Sequence, residues 1–157
     1  MPGIEISTSS PSLAIIVPTF NRPDKVGRCL TYLAQLDGGP YRTIVVDDGS
    51  PQDLSLVCGP YDWVTLVKQD NAGPGAARNT GARMAEDAKL LVFTDDDCRP
   101  RADWVQQLVA AQACEPQLLV GGRVENALPD NVFSSASQSL CSFLYDYYHS
   151  HGSEMTF

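Results

Sequence analysis

The sequence has little positive charge, no paired cysteine motif and no long apolar run. Eleven lysines and arginines oppose nineteen aspartates and glutamates, which gives a net charge of −8. A surface of that sign repels nucleic-acid phosphates, which argues against nucleic-acid binding as the main function. No stretch reaches the roughly 20 apolar residues of a membrane-spanning helix. None of the five cysteines lies in a Cys-x-x-Cys pair, which argues against a zinc cage or a disulfide framework.

The composition is that of one globular domain in a reducing compartment. Of the 157 residues, 43% are hydrophobic and 19% are charged, which is ordinary for a soluble chain. Unpaired cysteines favour the cytosol, and the N-terminus lacks the basic and apolar regions of a signal peptide. We therefore expect a cytoplasmic protein, either free or peripheral at the inner face of the membrane. Residues 1–12 are expected to form a flexible leader.

Short apolar runs alternate with segments of helical periodicity. The runs with the length and composition of buried strands are Leu13–Val17, Thr43–Val46, Trp63–Val67, Leu90–Phe93 and Leu118–Val120. Their alternation with helices predicts a three-layer α/β/α fold around a mostly parallel sheet, similar to a Rossmann fold. Asn21 is predicted to cap the first helix.

Clusters that contain polar or acidic residues directly follow three of the predicted strands. They are Pro18, Thr19, Phe20 and Asn21, then Asp47 and Asp48, then Asp95, Asp96 and Asp97. Ligands of parallel α/β sheets bind beyond the carboxyl ends of the strands. Three adjacent aspartates repel one another unless protonation or a hard cation neutralises them, so the triplet predicts a site for Mg²⁺ or Mn²⁺. The alternatives are a solvated acidic turn at the triplet and an Asp-Gly turn at Asp48.

A glycine-rich segment opens the helix that follows the third predicted strand. Gly73 and Gly75 let a ligand approach the backbone at a helix N-terminus, where free N–H groups favour anions. Arg78, about one turn further, would add a fixed charge for a diphosphate. The third glycine of a dinucleotide-binding fingerprint would fall at position 78, so that fingerprint is not matched. A solvated arginine on a helix surface is the alternative for Arg78.

Asp95-x-Asp97 after a strand also resembles the phosphatases of the haloacid dehalogenase type, in which the first aspartate is a nucleophile. Arg99 stands where that family usually has threonine, and this interpretation is kept as an alternative. A calcium-binding EF-hand loop starting at Asp95 would need glutamate at its twelfth position, where Gln106 lies.

Four segments together, in this order and spacing, resemble the family 2 glycosyltransferases, which have a GT-A fold. The segments are IIVPTFNRPDKVGRCL, TIVVDDGS, QDNAGPGAARNTGAR and LLVFTDDDCRPRADWV. The resemblance implies a nucleotide-diphospho-sugar donor, Mg²⁺ or Mn²⁺, and inverting transfer of the sugar to an acceptor hydroxyl. It implies that Asp95 and Asp97 are the acids of a DxD motif and ligate the metal. The residues it assigns to the donor nucleotide are Pro18, Thr19, Phe20, Asn21, Asp47, Asp48, Gly73, Gly75, Arg78, Asp95 and Asp96.

Members of that family also carry a later acidic motif, often Glu-Asp, which supplies the general base. No Glu-Asp pair follows residue 125. We therefore expect residues 13–128 to bind the nucleotide sugar and residues 129–157 to begin an acceptor-side region that is cut short, with the base outside this chain. Uncovered apolar residues near Phe143 then predict self-association. The acceptor is left open between a carbohydrate, a lipid-linked molecule and a protein, and a binding module without turnover is the alternative function.

Overall fold

The computed structural model describes residues 12–114 and 116–151, with side chains described up to residue 147. Within them, one parallel sheet has the strand order β3-β2-β1-β4. Its strands are β1 (Leu13–Thr19), β2 (Thr43–Asp47), β3 (Val64–Lys68) and β4 (Leu90–Phe93). The helices are α1 (Pro23–Leu33), α2 (Ser55–Cys58), α3 (Pro74–Met84), α4 (Trp104–Cys114) and α5 (Val132–His151). The predicted α/β class with a parallel sheet is confirmed. The predicted leader, apart from Ser12, lies outside the described residues.

The two central strands are buried on both faces, so the sheet has helices on both sides. On one face, Ile15 and Val45 pack in a core with residues of α1, α2 and α4. On the other face, Ala14, Ile44 and Val46 pack in a core with residues of α3. Successive strand residues point to opposite faces, which explains why these strands are continuous apolar runs.

Helix α3 approaches the sheet closely because Gly81 has no side chain. A Cβ atom at this position would overlap Ile16 Cγ2 and would lie 3.2 Å from Val46 Cγ2. We expect Gly81→Ala to lower the free energy of unfolding by about 1–3 kcal/mol, because helix or sheet must shift. Urea denaturation measures this, with Gly75→Ala as the control, since a Cβ there would meet nothing within 4 Å. A Gly81→Ala protein as stable as the wild type would contradict the close contact.

The prediction of a fifth strand at Leu118–Val120 is wrong. These residues lie in an irregular segment between α4 and α5, and Leu119 is fully exposed. A run of three apolar residues is too short to distinguish a strand from an exposed loop.

The predicted capping role of Asn21 is also wrong. Arg22 occupies the N-cap position of α1, and no side chain hydrogen-bonds the helix start there. Asn21 instead adopts a positive φ of 55°, in the left-handed region that asparagine tolerates better than most residues. The chain therefore turns sharply between the end of β1 and the start of α1.

The described residues form two compact units, which divide between Gln117 and Leu118. In the second unit, Asn126 Oδ1 accepts hydrogen bonds from Leu128 N–H and Ser134 Oγ, which hold the loop to the start of α5. The domain boundary expected after residue 128 stays a prediction. None of the described helices is both long and apolar enough to span a membrane.

Candidate functional site

The ends of three strands meet at the carboxyl edge of the sheet. Asp48 N–H donates to the Thr19 carbonyl oxygen at 2.9 Å, which joins the end of β2 to the end of β1. Thr19 Oγ1 donates to the Asp96 carboxylate at 2.6 Å, which joins β1 to the segment after β4. The topology therefore gathers the polar residues that are far apart in sequence into one region.

The turn after β2 is bonded to the residues that follow β1. Asp47 Oδ1 accepts a hydrogen bond from Ser50 N–H at 3.0 Å, and Ser50 Oγ accepts one from Asn21 N–H at 2.7 Å. Asp47 is buried, whereas Asn21 and its neighbour Phe20 are exposed. Asp47 thus shapes the turn, and Phe20 and Asn21 are the accessible side chains on this side of the edge. Pro18 and Thr19 are buried within β1.

The buried Asp48 carboxylate holds the segment that leads into α3. It accepts hydrogen bonds from Gln69 Nε2 at 2.7 Å, Ala72 N–H at 2.9 Å and Gly73 N–H at 2.8 Å. Burial by itself raises the pKa of Asp48, but these hydrogen bonds outweigh it and hold the pKa below its usual value. Asp48 is therefore ionised at neutral pH, and three of its roughly four acceptor positions are used within the chain.

We expect Asp48→Asn to lower the free energy of unfolding at pH 7 by about 1–3 kcal/mol, because an amide nitrogen cannot accept from Gly73 N–H. Since folding lowers the pKa of Asp48, its contribution is present above the usual carboxyl pKa and is lost as pH falls through the folded-state pKa. Chemical denaturation should therefore show that the free energies of unfolding of the wild type and the Asp48→Asn variant differ at pH 7, and that this difference shrinks in acid. Asp53→Asn is the control, because it changes an exposed carboxylate that is paired with Lys68. We expect it to lower the free energy of unfolding less than Asp48→Asn does. Equal stability of the Asp48 variant and the wild type at pH 7 would contradict this role.

The glycine-rich segment leaves open space at the first turn of α3. Gly73 has a φ of 90°, which L-residues with side chains rarely adopt. A Cβ atom at Gly73 or Gly75 would meet no described atom within 4 Å. Packing therefore does not require glycine at position 75, and the free N–H groups of this turn remain approachable by an anion.

Asp96 is the buried member of the aspartate triplet and ties the segment to its surroundings. It accepts the hydrogen bond from Thr19 and a longer one from Arg22 Nη1 at 3.3 Å. The neighbouring Asp95 carbonyl oxygen accepts a hydrogen bond from Cys29 Sγ at 3.7 Å. Burial raises the pKa of the Cys29 thiol to about 12, so this cysteine is protonated and is no nucleophile.

Asp95 and Asp97 carry the exposed carboxylates of the triplet. Asp95 Oδ1 lies 2.5 Å from Arg78 Nη2, and Asp97 Oδ2 lies 2.9 Å from Lys25 Nζ. The Asp95 and Asp97 side chains are 57% and 46% exposed, so a ligand can reach both. The hydrogen bond from Lys25 holds the pKa of Asp97 below its usual value, which keeps this group ionised at neutral pH.

The donor set fits a divalent cation that is completed by ligand oxygens. Within the described part of the chain, no three His, Cys, Asp or Glu side chains are grouped so that they could hold a metal by themselves. Mg²⁺, however, is commonly bound by one or two carboxylates together with substrate phosphates and water. Asp95 and Asp97 carry the two exposed carboxylates of the triplet, whereas Asp96 is turned into the protein.

Sequence reasoning identified Arg78 but missed Arg22 and Lys25. Arg22 contacts Asp96, 74 positions away, and Lys25 contacts Asp97, 72 positions away, and no local pattern indicates such contacts. The one available signal is that a lysine lies in the first turn of a helix, where the helix dipole disfavours positive charge.

Comparison with known proteins decides the family. The sequence profile of glycosyl transferase family 2 matches residues 14–155. The chain belongs to this family. Among curated relatives of this family 2 chain, glycosyltransferase AglE of Haloferax volcanii is 27% identical over 132 residues, covering 80% of this chain and 43% of AglE. The hyaluronan synthase of Pasteurella multocida is 35% identical over 126 residues, which are 76% of this chain and 13% of the synthase.

Solved structures place this family 2 chain in the predicted GT-A fold. The mannosyltransferase PcManGT of Pyrobaculum calidifontis, in complex with GDP-Man and Mn²⁺, is 26% identical with a TM-score of 0.60, over 68% of this chain and 33% of that one. S. aureus TarS in complex with UDP-GlcNAc has a TM-score of 0.61 at 21% identity, over 73% and 37% of the two chains. The match thus spans less than half the length of each of these four proteins.

Proposed function

We propose that this family 2 chain binds a nucleotide-diphospho-sugar together with Mg²⁺ or Mn²⁺ at the carboxyl edge of its sheet. In the whole enzyme, the sugar is transferred to an acceptor hydroxyl with inversion at the anomeric carbon. One observation carries the proposal: Asp95 presents an exposed carboxylate to Arg78, on the helix that opens with Gly73 and Gly75, and Asp97 presents a second exposed carboxylate two residues further on. A cation-binding pair and an anion-binding helix start are the two parts that a metal–diphosphate complex needs.

The relatives support the class of donor. PcManGT is bound to GDP-Man and Mn²⁺, and TarS is bound to UDP-GlcNAc. Both ligands are sugars joined to nucleoside diphosphates. We infer a donor of that class for this chain, with its base and its sugar open.

Each residue of the site has a proposed role. Asp95 and Asp97 would hold the cation, which when bound supplies positive charge to the departing nucleoside diphosphate. Arg78 would exchange its contact with Asp95 for the diphosphate oxygens and stabilise the charge that develops there. Asp48 keeps the start of α3 in place and has one acceptor position left for the nucleoside. The exposed Phe20 and Asn21 would contact the nucleoside from the other side.

The general base and the acceptor are left open. We place the enzyme in the cytoplasm, free or peripheral at the inner face of the membrane. Self-association through the exposed apolar residues of α5 remains a prediction. Phe143 is 62% exposed there, and its ring stacks on Tyr147 at a centroid distance of 6.1 Å.

A panel of nucleotide sugars tests the proposal, with thermal unfolding as the measurement and Mn²⁺ present. A ligand that binds only the folded protein raises the melting temperature. We expect one nucleotide base to be preferred across sugars, and a chelator to reduce its effect. Release of nucleoside diphosphate by the full-length protein then separates a transferase from a binding module. A panel without any stabilising nucleotide sugar would contradict the proposed function.

A further inference from the structure

We propose that Lys25 is an internal counter-cation of the site, and that a divalent cation must displace its ammonium group from Asp97 in order to bind. This inference rests on the proposed function, because it takes Asp97 as a ligand of the cation. It adds a residue that sets how tightly the chain holds the ion.

The geometry places the ammonium group where an incoming cation would need an oxygen. Lys25 Nζ lies 2.9 Å from Asp97 Oδ2. Arg22 Nη1 lies 3.6 Å from the same oxygen and closer, at 3.3 Å, to Asp96. Lys25 is therefore the principal partner of Asp97, and its departure would free that carboxylate.

The pair is exposed and can exchange. The Lys25 and Asp97 side chains are 41% and 46% accessible to solvent, whereas the Asp96 side chain is 5% accessible. An ion pair in water contributes little net free energy and opens readily. Lys25 thus neutralises Asp97 in the empty site without sealing it.

The stability of α1 does not explain why a lysine occupies this position. Lys25 is the third residue of α1, in the first turn, where the positive end of the helix dipole disfavours a cation. Replacing it with an uncharged residue should not weaken the helix. Its contact with Asp97 is the favourable interaction that the structure provides for it.

The test compares Mn²⁺ binding to the wild type and to Lys25→Met, with the electron paramagnetic resonance signal of free Mn²⁺ as the measurement. Arg28→Met is the matched control: it removes the same charge from the same helix, and Arg28 is exposed and takes part in none of the ion pairs among the described residues. Asp97→Asn identifies the site. Melting temperatures of all four proteins show whether each is folded.

We expect Lys25→Met to bind Mn²⁺ about two- to fivefold more tightly than Arg28→Met, the range that the loss of one exposed ion pair allows. Equal affinities of these two variants would overturn the inference while leaving the metal site intact. Weaker binding by Lys25→Met would also overturn it, because Lys25 would then position Asp97 for the ion. If Asp97→Asn binds Mn²⁺ as the wild type does, the proposed metal role of Asp97 fails, and this inference fails with it.

Discussion

In the Asp97→Asn variant, Mn²⁺ is expected to strengthen the binding of UDP or GDP much less than it does in the wild type. Asp97 carries one of the two exposed carboxylates at the end of β4, and its low pKa keeps it ionised at neutral pH. An amide in its place is a neutral and weaker ligand for a hard cation. Because even outer-shell partners of a metal are worth about 10- to 100-fold in affinity, the metal-dependent gain should fall by at least about tenfold.

Titration calorimetry with each nucleotide, in Mn²⁺ and in chelator, measures that gain. UDP and GDP are suitable probes because two structural relatives bind donors containing them. Asp24→Asn is the control, since Asp24 lies beside Lys25 in α1 and its loss changes the net charge equally. A variant of Asp97 that keeps the full gain from Mn²⁺ would show that the ion binds elsewhere.

The Arg78→Ala variant is expected to bind the nucleoside diphosphate about 1–3 kcal/mol more weakly, which corresponds to the loss of a hydrogen bond to a charged group. Arg78 lies on α3, one turn from the open start of that helix, and its guanidinium already faces Asp95. A diphosphate beside Asp95 would meet the same guanidinium. The bare nucleoside lacks the phosphates, so its affinity should change little.

Calorimetry on UDP and uridine, or GDP and guanosine, separates these effects. Arg83→Ala is the matched control, because Arg83 is exposed and lies on the same helix, five residues after Arg78. Its guanidinium donates a hydrogen bond to Thr80. The control should bind both ligands as the wild type does. Unchanged diphosphate affinity in Arg78→Ala would return Arg78 to the role of a solvated surface arginine.

The sequence was sufficient to predict β1 to β4 from their short apolar runs. The central β1 and β2 are continuous apolar runs because they are buried on both faces, whereas β3 and β4 lie at the edges of the sheet and are partly exposed. The same logic failed at Leu118–Val120, where a short apolar run lies in an exposed segment. The pattern of apolar residues shows which residues a segment could bury. Whether the segment forms a strand also depends on a neighbouring strand with which it can pair. Short runs at the end of a domain are therefore the weakest evidence for a strand.

The candidate site could be predicted as a place but not as a set of contacts. Strand ends and acidic residues coincide in the sequence, which indicated the carboxyl edge of the sheet. In the fold, Asp96 faces inward to Thr19, whereas Asp97 faces Lys25. Both contacts join residues that are more than 70 positions apart in the sequence. Three adjacent aspartates are equivalent in composition, and only the fold distinguishes them.

The most direct test of the account is nuclear magnetic resonance of the protein with Mn²⁺ and its preferred nucleoside diphosphate. The paramagnetic ion broadens the amide signals of residues near it. We predict broadening at the carboxyl edge, at Phe20, Gly49, Gly75 and Cys98, and little at Thr43 and Lys89 near the amino ends of β2 and β4. Broadening centred on Thr43 and Lys89, or absent from the carboxyl edge, would contradict the claim that the strand ends form a cation–diphosphate site.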